Sequence, residues 1–361
     1  MSDTKLDVEA VRDALRGVMD PEIGRDLVSL GMVKDIQVAG DQVTVKVELT
    51  TPACPLRHQI GKDVEAAVRA VGGRDVRVEF TSNVASRAKD EKAALKEVKH
   101  VIAVASGKGG VGKSTVAVNL ALALKEHGAV VGLLDADVYG PSLPQMLGQA
   151  ATPALAANEG RIEPAVHYGL KTMSVGFFVE RGQAIVWRGP LVHKLLSQFV
   201  EDVHWGALDY LVVDLPPGTG DPQLSLSQLV GLSGAVMVTT PQEVAVSDVL
   251  KGCSMFEKVG VPILGIIENM SGYVCPSCGH REELFLSGGG KRLAEAVGVP
   301  LLGQIPIDPS VARGGDAGVP VTVGNKESPV AQIFMEIAGV LAGRISKVTL
   351  SPSSKPQLSA V

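Results

Sequence analysis

Cysteines, aromatic residues and long apolar runs are all scarce in this chain of 361 residues. Four cysteines are too few for a disulfide scaffold, so a closely spaced pair is more typical of a metal or redox site. The 4% of aromatic residues and the 41 glycines favour an α/β protein rich in tight turns. No stretch approaches the roughly 18 consecutive apolar residues of a membrane span, so we expect no membrane association.

An excess of positive charge is missing too. The net charge of −5 argues against a general nucleic-acid-binding protein, and we expect no nucleic acid among the partners. The first residues lack the apolar segment of a secretory signal, which predicts a cytoplasmic protein. The length predicts two domains, and hydrophobic residues at 45% are enough for a large core.

One stretch has the pattern of a phosphate-binding loop. Val101–Ala105 is a short apolar run, typical of a strand covered on both faces. Gly107 and the run Gly112–Ser114 match G-x-x-x-x-G-K-[ST]. Glycines let successive backbone N–H groups surround a phosphate, and the following helix directs its positive dipole end at the same anion. The motif predicts ATP binding, with Lys113 on the β- and γ-phosphates and Ser114 on Mg²⁺.

The residues predicted to contact the nucleotide in this loop are Gly107, Lys108, Gly109, Gly110, Val111, Gly112, Lys113, Ser114 and Thr115. Lys108 is a second lysine, and with it the loop resembles the deviant Walker A motif of the MinD/ParA/nitrogenase-iron-protein ATPases. The resemblance implies that Lys108 reaches across a homodimer to the partner's nucleotide. A cation supplied in trans to developing phosphate charge is worth on the order of 10³–10⁵ in rate. A solvated loop lysine is the alternative.

Two later apolar runs end in carboxylates. Asp135 and Asp137 follow one run and lie on the same side of an extended chain, facing the ligand crevice of a parallel sheet. Asp214 ends another run, where a Walker B carboxylate reaches Mg²⁺ directly or through a water. Gly218 and Gly220 would let the next loop move with the γ-phosphate. The resemblance implies that Asp137 orients the attacking water, whereas Asp135 supports the loop.

Two segments near the C-terminal third are candidates for the adenine pocket. Asn269 follows the apolar run 262–267 and carries both an amide donor and an acceptor, which suit the adenine edge. The segment 304–308 would form the other wall. The family resemblance places adenine contacts at Asn269 and around Pro306. Two ordinary strand-to-loop turns are the alternative.

Cys275 and Cys278 form a Cys-Pro-Ser-Cys motif with three interpretations. A structural zinc site needs four ligands, and the neighbourhood offers only these two and His280. A thioredoxin-type redox pair normally opens a helix, whereas the flanks here predict a loop. The third is a cluster shared between chains, because a two-fold axis turns two thiolates into the four of a 4Fe–4S cluster.

Residues 1–85 predict a small α/β domain of order α-β-β-α-β. With Asp20–Glu22 and the loop Thr50–Pro55, this domain resembles one shared by iron–sulfur assembly factors of the Mrp and Suf systems. Cys54 precedes a predicted helix, whose dipole would lower its thiol pKa; a buried inert cysteine is equally compatible. Residues 86–99 are predicted as a linker, 100–345 as the ATPase domain and 346–361 as a disordered tail.

Apolar runs alternate with helical stretches through the predicted ATPase domain. This order predicts an α/β fold, a mostly parallel sheet flanked by helices of the P-loop NTPase class. With all motifs together, the chain resembles the Mrp (ApbC-like) iron–sulfur cluster carrier ATPases across both domains.

The resemblance implies a slow ATPase using ATP and Mg²⁺, and a homodimer that holds a 4Fe–4S cluster on Cys275 and Cys278 of each chain. It implies transfer of that cluster to apo iron–sulfur client proteins, with cluster scaffold proteins as further partners. A MinD/ParA-like positioning ATPase and an ATP-driven electron-transfer protein are the alternatives. The acidic balance of the chain disfavours DNA as a partner of such a positioning ATPase.

Overall fold

The computed structural model describes residues 6–21, 23–86, 95–148, 161–179 and 189–350, without 219, 221, 222, 224–226, 228 and 276. For residues 154, 155, 189 and 190 it describes only the backbone. The chain divides into two compact units, one formed by residues up to Ala85 and the end of the last helix from Ala342, the other by Ser86–Leu341.

The smaller unit is a three-stranded sheet with two helices. Its elements are, in chain order, α1 (Val8–Leu15), β1 (Met19–Asp20), β2 (Arg25–Asp26), β3 (Val33–Ala39), β4 (Gln42–Leu49), α2 (Arg57–Ala70) and β5 (Asp75–Ser82). The central strand β4 is antiparallel to β3 and parallel to β5. Alternate β4 residues such as Val45 point to one face, where they pack with Leu15 of α1 and Val64 of α2. This order agrees with the predicted one, with the short β1–β2 pair added.

The larger unit contains the remaining elements, apart from the end of the last helix from Ala342. They are β6 (Val98–Ser106), α3 (Lys113–Glu126), β7 (Val131–Asp135), α4 (Leu143–Met146), β8 (Ala154–Leu155), β9 (Ile162–Glu163), β10 (Ala165–His167), β11 (Leu170–Met173), a 3₁₀ turn (Val175–Phe177), α5 (Gly189–Glu201), β12 (Leu208–Asp214), β13 (Gly234–Thr239), α6 (Glu243–Lys258), β14 (Ile263–Val274), β15 (Arg281–Glu282), α7 (Gly289–Val297), β16 (Leu301–Ile307), α8 (Pro309–Ala317), α9 (Val321–Gly324) and α10 (Pro329–Leu350). No helix among the described residues is both long and apolar enough to cross a membrane.

A nine-stranded sheet forms the core of this unit, in the order β10-β11-β7-β12-β6-β13-β14-β15, with β16 also pairing with β14. Along the sheet from β11 through β7, β12, β6 and β13 to β14, each strand is parallel to the next, and β16 is parallel to β14. The strands β10 and β15 are antiparallel to β11 and β14, respectively. The central strands are buried on both faces, which confirms the predicted sheet flanked by helices. Because β7 and β13 lie on opposite sides of β6, the ligand crevice is expected at the carboxyl end of β6.

Three predicted boundaries differ from the structure. The strand expected to end at 267 continues as β14 to Val274, because β16 and β15 pair with its second half. Strand β6 begins at Val98, inside the predicted linker. The predicted tail from Ser346 is helical up to Leu350 because α10 continues, and residues 351–361 lie outside the described residues, as does most of the predicted linker, 87–94.

Candidate functional site

The phosphate-binding motif forms the loop between β6 and α3. Gly112 caps the helix at a φ of +79°, in the left-handed region that favours glycine. At Gly107 a Cβ atom would lie 2.4 Å from the backbone carbonyl carbon of Asp248 in α6. This glycine is therefore also required because α6 packs directly on the loop.

Lys113 and two of the predicted carboxylates converge at the start of α3. The Lys113 Nζ atom lies 2.5 Å from Asp214 Oδ1 and 3.8 Å from Asp137 Oδ2. It also donates to Ser114 Oγ at 3.3 Å. Lys113 is 6% exposed and Asp214 fully buried. The structure thus joins the ends of β7 and β12 to the phosphate loop, as the motifs predict.

One oxygen of Asp214 has no hydrogen-bond donor among the described residues. Its Oδ2 atom is buried and unpartnered, while Oδ1 accepts from Lys113. Burial raises the pKa of Asp214, and the charge of Lys113 opposes that rise. An unpartnered buried oxygen of this kind is a ligand that a hard cation prefers.

Asp135 holds the loop that carries Asp137. Its carboxyl group accepts hydrogen bonds from the backbone N–H groups of Asp137 and Ser142 at 3.1 and 3.2 Å, and from Ser174 Oγ at 2.9 Å. Burial, and then the nearby charge of Asp214, raises the pKa of Asp135 to about 7. β7 ends at Asp135, so Asp137 lies in the following loop and is free to approach Lys113.

Lys108 lies half-buried in the loop. Its backbone carbonyl accepts from Ser106 Oγ at 3.0 Å, whereas its ammonium group forms no ion pair with the residues that the structure describes. Gly218, after the Walker B strand, donates its N–H to the Ser106 carbonyl at 3.0 Å. The loop after β12 therefore contacts the phosphate loop, although Thr219 and Asp221 of that loop lie outside the described residues.

Asn269 contacts the phosphate loop itself. Its Nδ2 atom donates to the carbonyl oxygen of Val111 at 2.8 Å. A Cβ atom at Gly112 would lie 2.2 Å from this Nδ2, so the contact requires a glycine there. Asn269 pairs with Ile305 of β16, and half-buried Pro306 follows Ile305. The two candidate adenine residues are thus on neighbouring strands, while Thr115 lies in the first turn of α3.

Cys275 and Cys278 lie in the predicted loop, which forms the tip of a β-hairpin, whereas the flank Gly272–Val274, also predicted as loop, belongs to β14. β14 and β15 pair through Val274 and Arg281, and the N–H of Cys275 donates to the His280 carbonyl at 2.9 Å. Backbone N–H groups, first that of Ser277 and then that of Cys278, donate to the Cys275 sulfur and lower its thiol pKa. No group of three or more His, Cys, Asp and Glu side chains suited to a metal ion occurs in the described part of the chain.

The other two cysteines lie elsewhere. Cys253 is buried in α6, and burial raises its thiol pKa to about 12, in agreement with a core residue. Cys54 is half-buried in the loop before α2, and the reactive and inert interpretations of it both stay predictions.

Glu268 is not among the residues predicted from the sequence. This residue is fully buried on β14 and accepts three hydrogen bonds from three different elements. The available signal was a single carboxylate directly after the apolar run 262–267. A carboxylate that continues a buried strand needs hydrogen-bond partners from other parts of the fold.

Comparisons with known proteins test the predicted family resemblance. The model of the NUBPL iron-transfer P-loop NTPases matches residues 97–342, and that of an iron–sulfur cluster assembly protein family matches residues 8–80. An iron–sulfur cluster carrier protein of Deinococcus radiodurans is 50% identical over 353 residues, 97% of this chain and 99% of that protein. The carrier protein of Escherichia coli K12 is 41% identical over 349 residues, 93% of each chain.

Two solved structures share the fold of the larger unit. A nucleotide-binding protein of Archaeoglobus fulgidus in complex with ADP is 39% identical, with a TM-score of 0.56, over 64% of this chain and 92% of that one. The MinD cell division ATPase of Pyrococcus furiosus is 24% identical, with a TM-score of 0.51, over 67% of this chain and 98% of that one. The predicted resemblance is confirmed: this chain belongs to the iron-transfer P-loop NTPase family that includes the iron–sulfur cluster carrier proteins.

Proposed function

We propose that two copies of this chain hold one 4Fe–4S cluster as cargo and pass it to apo-proteins. The observation that carries the proposal is the hairpin tip with Cys275 and Cys278, where two thiols lie together without a third candidate ligand among the described residues. Four thiolates are the ligand set of a 4Fe–4S cluster, and a two-fold axis supplies them from two chains. A structural zinc site also needs four ligands, of which one chain offers only the two thiols and His280, and the metal content distinguishes zinc from a cluster.

Exposed apolar side chains around the hairpin support a second copy as the partner at this face. Val274 and Leu284 are about half exposed, and Leu286 is 64% exposed. Tyr139 and Val244, also exposed, follow β7 and β13 at the same carboxyl edge of the sheet. Exposed apolar residues concentrated at one edge are typical of a protein–protein contact.

The nucleotide site supports ATP binding with Mg²⁺. The loop Gly107–Thr115 would hold the phosphates, and the unpartnered Asp214 oxygen and the Ser114 hydroxyl fit a Mg²⁺ ion. When bound, Mg²⁺ neutralises charge that develops on the phosphates. During ATP hydrolysis Lys113 would contact phosphate oxygens in place of Asp214, and Asp137 would orient the attacking water.

Three further roles complete the proposal. Lys108, which has no ion pair among the described residues, would reach the nucleotide of the other copy. Asn269 and Pro306 would contact adenine. The smaller unit would bind apo iron–sulfur clients or a cluster scaffold protein, with ATP turnover slow and coupled to cluster release.

The decisive test is the iron and acid-labile sulfide content per dimer after reconstitution without oxygen. We expect about four of each in the wild type, and none in a Cys275→Ala/Cys278→Ala variant. Cys54→Ala is the matched control and should keep the full content. Zinc instead of iron, or no metal in the wild type, would overturn the carrier proposal and favour a nucleotide-driven positioning switch.

A further inference from the structure

One strand connects the phosphate loop to the cysteine pair. Asn269 on β14 donates to the carbonyl oxygen of Val111 in the phosphate loop at 2.8 Å. The same strand ends at Val274, and Cys275 follows it directly. A displacement of the phosphate loop can therefore reach the cysteines through a short segment of a single strand.

This segment of β14 is bulged. β14 and β16 pair up to Asn269 and Ile305, but the next pair is Tyr273 and Ile307. Four steps along β14 (273 − 269) thus oppose two along β16 (307 − 305), so the extra residues of β14 bend it locally. Met270, within the bulge, has a φ of +57°, a backbone conformation that residues other than glycine rarely adopt. Such a backbone persists only where its surroundings fix it.

The buried carboxyl group of Glu268 provides that support. Its oxygens accept from Ser271 Oγ at 2.7 Å, from Gln304 Nε2 at 2.7 Å and from the N–H of Gly290 at 2.5 Å. Ser271 lies in the bulge, Gln304 on β16 and Gly290 in the first turn of α7. A Cβ atom at Gly290 would lie 2.7 Å from the Glu268 Cβ, so α7 approaches this side chain as closely as a glycine allows.

We infer that Glu268 is a positioning residue that couples the nucleotide loop to the cysteine pair, an inference that rests on the proposed function. Its three hydrogen bonds hold the bulge to β16 and α7, so the segment between Asn269 and Cys275 moves as one stiff connection. A shift of Val111 on nucleotide binding then changes the surroundings of both thiols. Without the Glu268 carboxylate the bulge relaxes locally, and the shift is absorbed before it reaches Cys275.

The test measures the rate at which iodoacetamide alkylates each cysteine of the metal-free full chain, with and without saturating Mg-ADP. Mass spectrometry of the peptides separates Cys275 and Cys278 from the other two cysteines. In the wild type we expect Mg-ADP to change the rate at this pair by about fivefold or more, the lower end of typical coupling between two sites. In Glu268→Gln the change should fall below about twofold, with the Kd for Mg-ADP unchanged.

Two further variants complete the experiment. Glu243→Gln removes a carboxylate that pairs with Arg292 of α7 and forms no ion pair with β14 among the described residues, so it should keep the full response. Gln304→Ala removes an exposed donor to Glu268 and Ser271, so it should fold even where Glu268→Gln does not. We expect it to reduce the response about two- to threefold.

A wild type whose thiols ignore Mg-ADP would overturn the inference, and so would variants at Glu268 and Gln304 that keep the full response. The iron content measures the proposed function independently. Four irons per dimer without a nucleotide response would overturn the coupling alone, and an intact response in a chain that takes up no iron would overturn only the cluster as cargo.

Discussion

The phosphate loop and the cysteine hairpin lie at the same carboxyl edge of the sheet, yet they differ in how complete they are. In the loop, Lys113 is buried and paired with Asp214, and Gly112 is packed against Asn269. In the hairpin, Cys278 is exposed, and a Cβ atom at Gly279 would meet no atom of the described residues within 4 Å. The comparison teaches that the phosphate loop is held by partners within the chain, whereas the cysteine pair has no third His, Cys, Asp or Glu side chain grouped with it among the described residues.

The difference follows from the cost of burial. A buried ammonium or carboxylate is tolerated only with a partner, so the charges of the nucleotide site must find one another within the fold. A thiol at a hairpin tip needs only the backbone N–H groups that already lower the pKa of Cys275. The hairpin can therefore fold with only these backbone groups around the Cys275 sulfur.

Removing Lys113 should have the largest effect, and that effect should be limited to the nucleotide site. Lys113→Ala takes the cation from the phosphates and leaves buried Asp214 without its partner, so ATP turnover should fall by at least about 10³-fold. Iron content per dimer should stay at the wild-type value. Lys125→Ala, at the other end of the same helix, should change neither quantity. Normal turnover in Lys113→Ala would show that the phosphate loop is wrongly assigned.

Removing Lys108 should also slow ATP turnover strongly, because in the proposed dimer this lysine reaches the nucleotide of the other copy. Lys108→Ala should slow ATP turnover about 10³-fold, with the free energy of unfolding unchanged because the side chain forms no ion pair among the described residues.

Mixing Lys108→Ala with Lys113→Ala should restore about a quarter of wild-type turnover. Half of the dimers are then mixed, and in each the intact Lys113 site receives a Lys108 from the other chain. No recovery on mixing, after the exchange of chains is verified, would contradict a lysine supplied in trans.

The thiols should separate the exposed hairpin from the core by reactivity. The pKa of Cys275 is lowered by backbone N–H groups, whereas burial raises that of Cys253 to about 12. Because the thiolate is the nucleophile, alkylation of metal-free Cys275 should rise with pH and reach its plateau at a lower pH than that of an ordinary exposed thiol, and Cys253 should stay unmodified until the chain unfolds. Peptide mass spectrometry across pH 6–9 measures both, and equal rates at the two sites would refute the difference.

Two glycines should give the smallest effects but the most direct comparison of packing. Gly107→Ala forces a Cβ against the backbone of Asp248 and should lower the free energy of unfolding by up to about 3 kcal/mol. Gly279→Ala, at a φ of +70° in open space, should cost only about 1 kcal/mol of left-handed strain. Chemical denaturation measures both, and a cost at Gly279 equal to that at Gly107 would contradict the difference in packing.

The parts of the site that could be predicted are those formed by residues that are close together in the sequence. The phosphate loop needs a glycine run, a lysine and a hydroxyl in fixed order, and its strand and helix are adjacent in sequence. The carboxylates at the ends of β7 and β12 could be predicted because parallel strands bring their carboxyl ends together.

Contacts between distant residues could not be predicted in this way. Gly107 looks like a phosphate-loop glycine, and only the fold shows that it also admits the backbone of Asp248. The second half of β14 contains Asn269, Ser271 and Gly272 and predicts a turn, but pairing with β16 and β15 makes it a strand. The partners of Glu268 come from β14, β16 and α7, so no pattern of neighbouring residues in the sequence predicts the whole set.

The sequence by itself determined the family, the α/β class, and the phosphate-loop and Cys-Pro-Ser-Cys motifs, because such motifs are local properties of short stretches of residues. Only the tertiary structure decided how those motifs are joined: that Asn269 contacts the phosphate loop, that the same strand leads to Cys275, and that buried Glu268 holds the bulge between them. The physical reason is that burial and hydrogen bonding between strands and helices depend on which distant residues the sheet brings together.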